Sequence, residues 1–294
     1  MSDPRYVVII PARDEELLVV NTLNSLAAQT IPPAECVVVN DGSRDATGDV
    51  AERFAARYPW VRVVHRTDRG CRASGGGVME AFAEGFAAVR LSGWDFLVKL
   101  DADLSFEPDY FQKCFARFEA DTRLGIGGGM ICVQRSGKSV VEFPGDPPFH
   151  VRGATKIYRR ACWDQIGGLV RSTGWDTIDE LMANQHGWKT YTFKEILLLQ
   201  HRETGRSGTR WRDYVKNGRA NYLTGYHPLF MFLKCMRRLL AGPYFVMSAG
   251  LGWGYFSAWV RRMPRPVDRA FVEYVRREQM NCIRGRTNLW TRPD

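Results

Sequence analysis

One alternation constrains this chain more than any other feature. Between Tyr6 and Leu104, a short apolar run gives way to a stretch with helical spacing, and this repeats four times. Tyr6–Pro11 reads YVVIIP, uniformly apolar and rich in β-branched residues, as expected of a strand buried on both faces. Residues 15–28 then place Leu17, Leu18, Val20, Leu23 and Leu26 on a helical stripe. The runs Cys36–Val39, Val61–His65 and Phe96–Leu100 repeat the theme, with helices predicted to about Arg57 and over about 73–89. Asp45 suits the N-cap of the first of these. Four such repeats predict an α/β fold, a mostly parallel sheet sandwiched by helices. Ligands of such sheets bind at the carboxyl ends of the strands. Arg13, Asp14, Asp41, Asp101 and Asp103 all fall just past predicted strand ends, so they are expected to line one crevice.

Beyond about Gly125 the pattern weakens. Ile126–Val133 and Thr190–Leu199 read as strands, and 158–166, 178–186 and 210–226 as helices. The polar, Pro-containing stretch 137–153 reads as a loop. The expected division is a catalytic domain over 1–226 and a helical tail over 227–294.

The tail differs in character. Leu239–Val260 carries no formal charge and is flanked by Arg237, Arg238, Arg261, Arg262 and Arg265. A straight helix of that length would reach about 33 Å, roughly one hydrocarbon core. Gly242-Pro243, Gly250, Gly252 and Gly254 are expected to interrupt it. A bent, membrane-associating hairpin in one leaflet, with arginines at the head groups, is therefore favoured over a single span or a buried helix pair.

Composition sets the remaining bounds. The chain has 294 residues, 45% hydrophobic and 25% charged, which is ordinary for a globular protein with its own core. Lys and Arg outnumber Asp and Glu by 41 to 32, a net +9 that suits an anionic partner such as a membrane face or a phosphorylated substrate. Seven cysteines with no C-x-x-C spacing indicate neither a disulfide framework nor a zinc site. No apolar signal region precedes the first strand, so export is not expected.

Asp101-Ala102-Asp103, directly after an apolar strand, is the sharpest chemical signal. Paired carboxylates at a strand end suit a hard divalent cation that keeps positions open for phosphate oxygens. An acidic surface turn is the plain alternative. Asn40-Asp41-Gly42-Ser43 offers a carboxylate for a ribose hydroxyl or a base N–H, though the same residues also favour a turn and helix cap. Residues 66–77 mix glycines with Arg66, Arg69 and Arg72 before a helix, an arrangement that attracts anions. Neither standard nucleotide-binding glycine motif is present.

Taken in order, Pro11-Ala12-Arg13-Asp14-Glu15-Glu16, Asn40-Asp41-Gly42-Ser43, Asp101-Ala102-Asp103 and Trp175-Asp176-Thr177-Ile178-Asp179-Glu180 resemble the signatures of family-two glycosyltransferases of the GT-A fold. The resemblance covers about residues 5–205. The stretch through Gly218-Arg219, 225–229 and the apolar tail looks like members acting in bacterial surface-polysaccharide assembly.

The resemblance implies roles for particular residues. Asp41 would hold the nucleotide, with Pro11, Ala12, Arg13 and Glu15 beside base and ribose and Arg72 near the phosphates. Asp103 would coordinate Mn²⁺ or Mg²⁺ on the diphosphate, with Asp101 nearer the ribose or donor sugar. His201 would close the pocket against metal or phosphate. Asp176 would be the general base. The family usually carries Glu just before that Asp; here Trp175 stands there, which leaves Asp179 and Glu180 as possible substitutes.

The implied activity is inverting transfer of a sugar from a nucleotide-diphosphate donor to a hydroxyl on a glycan or polyprenyl-linked acceptor. It would take place at the cytoplasmic face of the plasma membrane, by a peripheral, monotopic or single-span protein. Transfer to a polyprenyl phosphate is the enzymatic alternative; it needs no base, because that acceptor is already anionic. A catalytically inactive nucleotide- or nucleic-acid-binding scaffold is the alternative from another class. No basic–aromatic RNA motif appears, so nucleic acid is not an expected partner.

Overall fold

A computed structural model describes residues 3–68, 70, 76–202, 210–239 and 245–290. The chain runs β1 (Tyr6–Ala12), α1 (Val19–Ala27), β2 (Glu35–Asn40), α2 (Thr47–Arg57), β3 (Val61–His65), α3 (Gly76–Ala87) and β4 (Phe96–Leu100). These are the four predicted repeats. They continue into β5 (Leu104–Phe106), α4 (Tyr110–Ala120), β6 (Leu124–Arg135), β7 (Lys138–Val141), β8 (Thr155–Arg159), α5 (Arg160–Ile166), α6 (Trp175–Gln185) and β9 (Lys189–Gln200). Four helices follow: α7 (Arg210–Leu223), α8 (Pro228–Arg237), α9 (Val246–Val260) and α10 (Arg269–Ile283).

The strands form one sheet in the order β3-β2-β1-β4-β8-β6-β9-β5, with β7 paired on β6. β1 to β4 are mutually parallel, as predicted. The remainder is mixed: β8 runs antiparallel to both β4 and β6, and β5 antiparallel to β9. The expectation of a mostly parallel sheet thus holds for its first half and, beyond it, for the β6–β9 pair alone. Residues 158–166, expected to be helical throughout, split into the end of β8 and α5. The stretch expected to be a loop contains β7.

Alternate residues of β1 explain its unbroken apolar run. Val8 and Ile10 face one core with Leu23 of α1 and Phe111 of α4. Val7 and Ile9 face a second with Phe82 of α3 and Trp163 of α5. Each such side chain stabilises the fold by about 1.5–3 kcal/mol on burial. A third cluster joins Ile178 and Leu181 of α6 to Tyr222, Leu251, Tyr255 and Phe271 of the C-terminal helices.

The tail does not follow the expected geometry. Gly250 and Gly254 lie within a continuous helix, α9, and mark its seam with α7. A Cβ on Gly254 would sit 2.0 Å from the Val215 carbonyl oxygen, and one on Gly250 2.7 Å from Tyr214 Cβ. Only glycine permits backbones to approach so closely. Gly242-Pro243 lie outside the described residues. Among those described, no helix is long and apolar enough to cross a membrane.

Candidate active site

The parallel order of β2, β1 and β4 brings three loops together at their carboxyl ends. After β1, the Arg13 guanidinium is buried. It donates to the Asp41 carbonyl oxygen at 2.7 Å and to Asp68 Oδ1 at 2.6 Å, so it pins the loops after β1, β2 and β3 to one another. Asp68, held by Arg13, the Gly70 amide and Arg44, has its pKa well below the usual carboxylate range. Gly42 adopts φ +68°, and a Cβ there would strike the Asp68 backbone at 2.4 Å. The Asn-Asp-Gly-Ser turn therefore needs its glycine. The Asp41 carboxylate itself is buried and bonded to Arg66, which also reaches Glu84 at 2.7 Å.

After β4, Asp101 and Asp103 flank buried Ala102. Lys99, fully inside the sheet, bonds Asp101 and donates to the Gly153 carbonyl at 2.6 Å. Asp103 is pushed up to about 7 by burial, then by the negative charge of Asp101 and Glu15; Gln200 and Arg202 only partly offset this. Glu15, buried beside it, takes both nitrogens of Arg202, at 2.7 and 2.8 Å. The pairing of β5 with β9 sets His201 opposite Asp103, and the His201 amide donates to the Asp103 carbonyl at 2.9 Å. The His201 ring bonds Ser105 Oγ at 2.7 Å through Nε2.

The described residues contain no ready-made cluster of three or more metal-binding side chains. The carboxylates nevertheless fit a hard divalent cation. They supply oxygen ligands, and Asp101 and Glu15 add negative charge beside the buried Asp103, which a cation would offset. Such a cation commonly takes one or two carboxylates and completes its shell with substrate phosphates.

Asp176 opens α6, half-exposed, after Gly174 in a left-handed turn (φ 88°). Gly153 connects it to the Asp101 loop: a Cβ on Gly153 would lie 3.4 Å from Asp176 Cβ, while its carbonyl holds Lys99. Asp179 and Glu180 point the other way, 1% and 0% exposed. Lys156 Nζ donates to Asp179 at 2.8 and 2.9 Å, to Glu180 at 2.8 Å and to the Asp176 carbonyl at 2.5 Å. Tyr158 donates to Asp179 at 2.5 Å, and His150 bonds Glu180 at 2.9 Å. Burial alone would lower the Lys156 pKa, but Asp179 and Glu180 outweigh it and hold the ammonium charged. The same balance, led by Glu180, raises His150 above its ordinary value.

Of the expected site residues, Pro11, Ala12, Arg13, Glu15, Asp41, Asp101, Asp103, Asp176 and His201 gather at this end of the sheet. Asp179 and Glu180 lie beneath it, enclosed by cations. Arg72 lies outside the described residues. Lys99, Lys156, His150 and Arg202 escaped sequence reasoning; an ionisable residue inside an otherwise apolar strand, as in Phe96–Leu100, was the available signal. Trp175 stands where the resemblance led us to expect an acid. Its ring lies 5.6 Å from Lys99 Nζ and 5.4 Å from Lys156 Nζ, so its negative face meets both buried ammoniums.

Comparison with known proteins bears on the family and the fold. Residues 7–142 match the family described as glycosyl transferase family 2. That match spans just under half of the chain. It is 31% identical over 145 residues to an undecaprenyl-phosphate mannosyltransferase of Micrococcus luteus, covering 48% of this chain and 57% of that protein. It is 32% identical over 127 residues to a polyprenol monophosphomannose synthase of Mycolicibacterium smegmatis, covering 42% and 44%. The chain thus spans about half the length of these curated relatives. The solved mannosyltransferase PcManGT from Pyrobaculum calidifontis, in complex with GDP-Man and Mn²⁺, superposes with a TM-score of 0.55 at 20% identity, over 88% of this chain and 74% of that one. That likeness establishes a GT-A-type fold.

Proposed function

We propose that this protein is an inverting, metal-dependent glycosyltransferase that moves a sugar from a nucleotide-diphosphate donor to a hydroxyl acceptor. The observation that carries the reading is the convergence, at the carboxyl ends of β1, β2 and β4, of buried Asp41 and Asp103 with half-exposed Asp176. Asp41 and the Pro11–Glu15 loop bind base and ribose. Asp103, with Asp101 beside it and His201 opposite, would hold Mn²⁺ or Mg²⁺, which when bound would supply positive charge against that growing on the departing diphosphate. Asp176 accepts the proton of the attacking hydroxyl. Asp179 and Glu180 are committed to Lys156, which leaves Asp176 as the carboxylate able to meet an acceptor. Attack opposite the leaving group inverts the anomeric centre.

The acceptor is a polyprenyl-linked or growing glycan at the cytoplasmic membrane face. Exposed apolar residues on α8 and α9, among them Phe232, Met236, Trp253 and Trp259, support seating on a membrane surface, with residues 227–294 as the associating part. A second reading, transfer to a polyprenyl phosphate, is favoured by the names of the two curated relatives.

A thermal-shift screen of UDP-, GDP-, dTDP- and CMP-sugars, with and without Mn²⁺, tests the proposal. One donor should raise the melting temperature, and only with the metal. No shift with any donor contradicts it.

A further inference from the structure

A basic cleft lies among the C-terminal helices. The end of α9, the 261–268 loop and the first turns of α10 enclose an open cleft of about 980 Å³. Four arginines line it: Arg262, Arg265, Arg269 and Arg276. Two acids also line it, but both are engaged. Asp268 caps α10 by accepting the Phe271 amide at 2.7 Å, and Glu273 pairs with Arg269 at 2.7 Å.

Arg265 and Arg276 are preorganised. Arg265 donates its Nε to the Tyr222 carbonyl at 3.1 Å, and its guanidinium stacks 4.3 Å from the centre of that ring. Arg276 donates its Nε to the Gly225 carbonyl at 3.2 Å. Both forks are therefore fixed through Nε, a state that suits two-point binding of a phosphate by the terminal nitrogens.

The cleft wall is also apolar. Trp259 and Val260 line it, and Val260 is 72% exposed. Val260, two helical turns beyond Trp253, continues the exposed face of α9 that includes it. Fixed guanidiniums beside exposed tryptophan and aliphatic surface match an amphiphile with an anionic head and an alkyl body.

We infer that this cleft binds the phosphate of an anionic phospholipid and so fixes the orientation of the protein on the membrane. The inference rests on the membrane-surface part of the proposed function, and not on sugar transfer. One lipid phosphate is held by Arg265 and Arg276, while Trp259 and Val260 enter the acyl boundary.

Co-sedimentation of the full chain with vesicles tests it. Phosphatidylcholine vesicles containing phosphatidylglycerol should bind well, and phosphatidylcholine alone weakly. The double variant R265Q/R276Q should partition about thirtyfold less well, from about fivefold per basic residue removed. The variant R265K/R276K keeps the charge and loses the fork and the stacking, and it should also lose most of the binding. Wild-type partitioning by the lysine pair would overturn the proposal in favour of diffuse charge. Vesicles in which polyprenyl phosphate replaces phosphatidylglycerol at equal charge should bind no better; binding confined to them would reassign the cleft to the acceptor. A measurement on the unaltered chain needs no variant to fold. Brominated phosphatidylglycerol should quench its tryptophan fluorescence more than brominated phosphatidylcholine does, and equal quenching overturns the proposal. Vesicle binding without any donor-induced thermal shift would sink the sugar-transfer reading and leave this one standing; a donor-induced shift without vesicle binding would sink this one together with the membrane seating and leave sugar transfer standing.

Discussion

Lys99 and Lys156 stand opposite each other across the β4–β8 pairing, both buried, with the Trp175 ring against both ammoniums. Each serves a different acid loop. Lys99 holds Asp101 and the Gly153 carbonyl, and Lys156 holds Asp179, Glu180 and the Asp176 carbonyl. The two acidic motifs, far apart in sequence, are thereby fixed relative to each other by adjacent residues of one sheet.

Replacement of Lys156 by methionine should be severe. It leaves Asp179 buried without its cation and Glu180 with His150 alone, and breaking such a pair typically costs about 3–5 kcal/mol. Urea unfolding of Lys156→Met should show a loss of that order. A loss no larger than that of an exposed lysine variant would contradict the buried network.

The His150–Glu180 contact predicts a pH dependence of stability. Glu180 raises the folded-state pKa of His150 above its ordinary 6.5, against the opposing effect of burial. The stabilisation is therefore complete below about pH 6.5 and is lost as pH rises through the folded value. A full proton corresponds to about 1.4 kcal/mol per pH unit across that window. His150→Gln keeps a hydrogen-bond donor and does not titrate. Its unfolding free energy should fall less steeply with pH in that window than that of the wild type.

Two glycines of α9 should respond in opposite directions. Gly254→Ala drives a methyl into the Val215 carbonyl and should destabilise by about 1–3 kcal/mol. At Gly252 the nearest atom is Cys235 Sγ at 3.8 Å, so alanine fits there. Its better helix propensity should stabilise by up to about 1 kcal/mol. Melting temperatures of the two variants decide it.

Much of this was legible in the sequence, and the reason differs by region. β1, β2 and β4 have both faces buried, so their apolar runs stand out from amphipathic helices. β8 did not stand out, because Thr155, Lys156 and Tyr158 carry polar groups that only tertiary partners satisfy. The strand register that sets Lys156 against Lys99 is a long-range property with no local sign. At the site, Asp101 and Asp103 stood out because they follow a predicted strand end, whereas Asp176 was singled out only through the family resemblance. The burial of Asp179 and Glu180 was not, since helical spacing does not tell which face meets a lysine. The glycines of α9 were misread as breaks because a close helix crossing and an interrupted helix use the same residue.

Asp176→Asn removes the proposed base and keeps the shape. With a hydroxyl acceptor, turnover should fall by about 10²–10⁴ while donor affinity is retained. Rates by product release and affinity by calorimetry separate the two. Undiminished turnover onto a polyprenyl phosphate would favour the second reading of the acceptor.

The account depends most on Asp103. The decisive measurement is the Mn²⁺-dependent thermal shift produced by the donor with the largest effect on the wild type, repeated on Asp103→Asn. At donor about a hundredfold above its Kd, the wild type should gain about 2.7 kcal/mol. Asp103→Asn should fold and gain nothing from adding Mn²⁺ to the donor; a metal-dependent shift as large as that of the wild type would contradict the assignment.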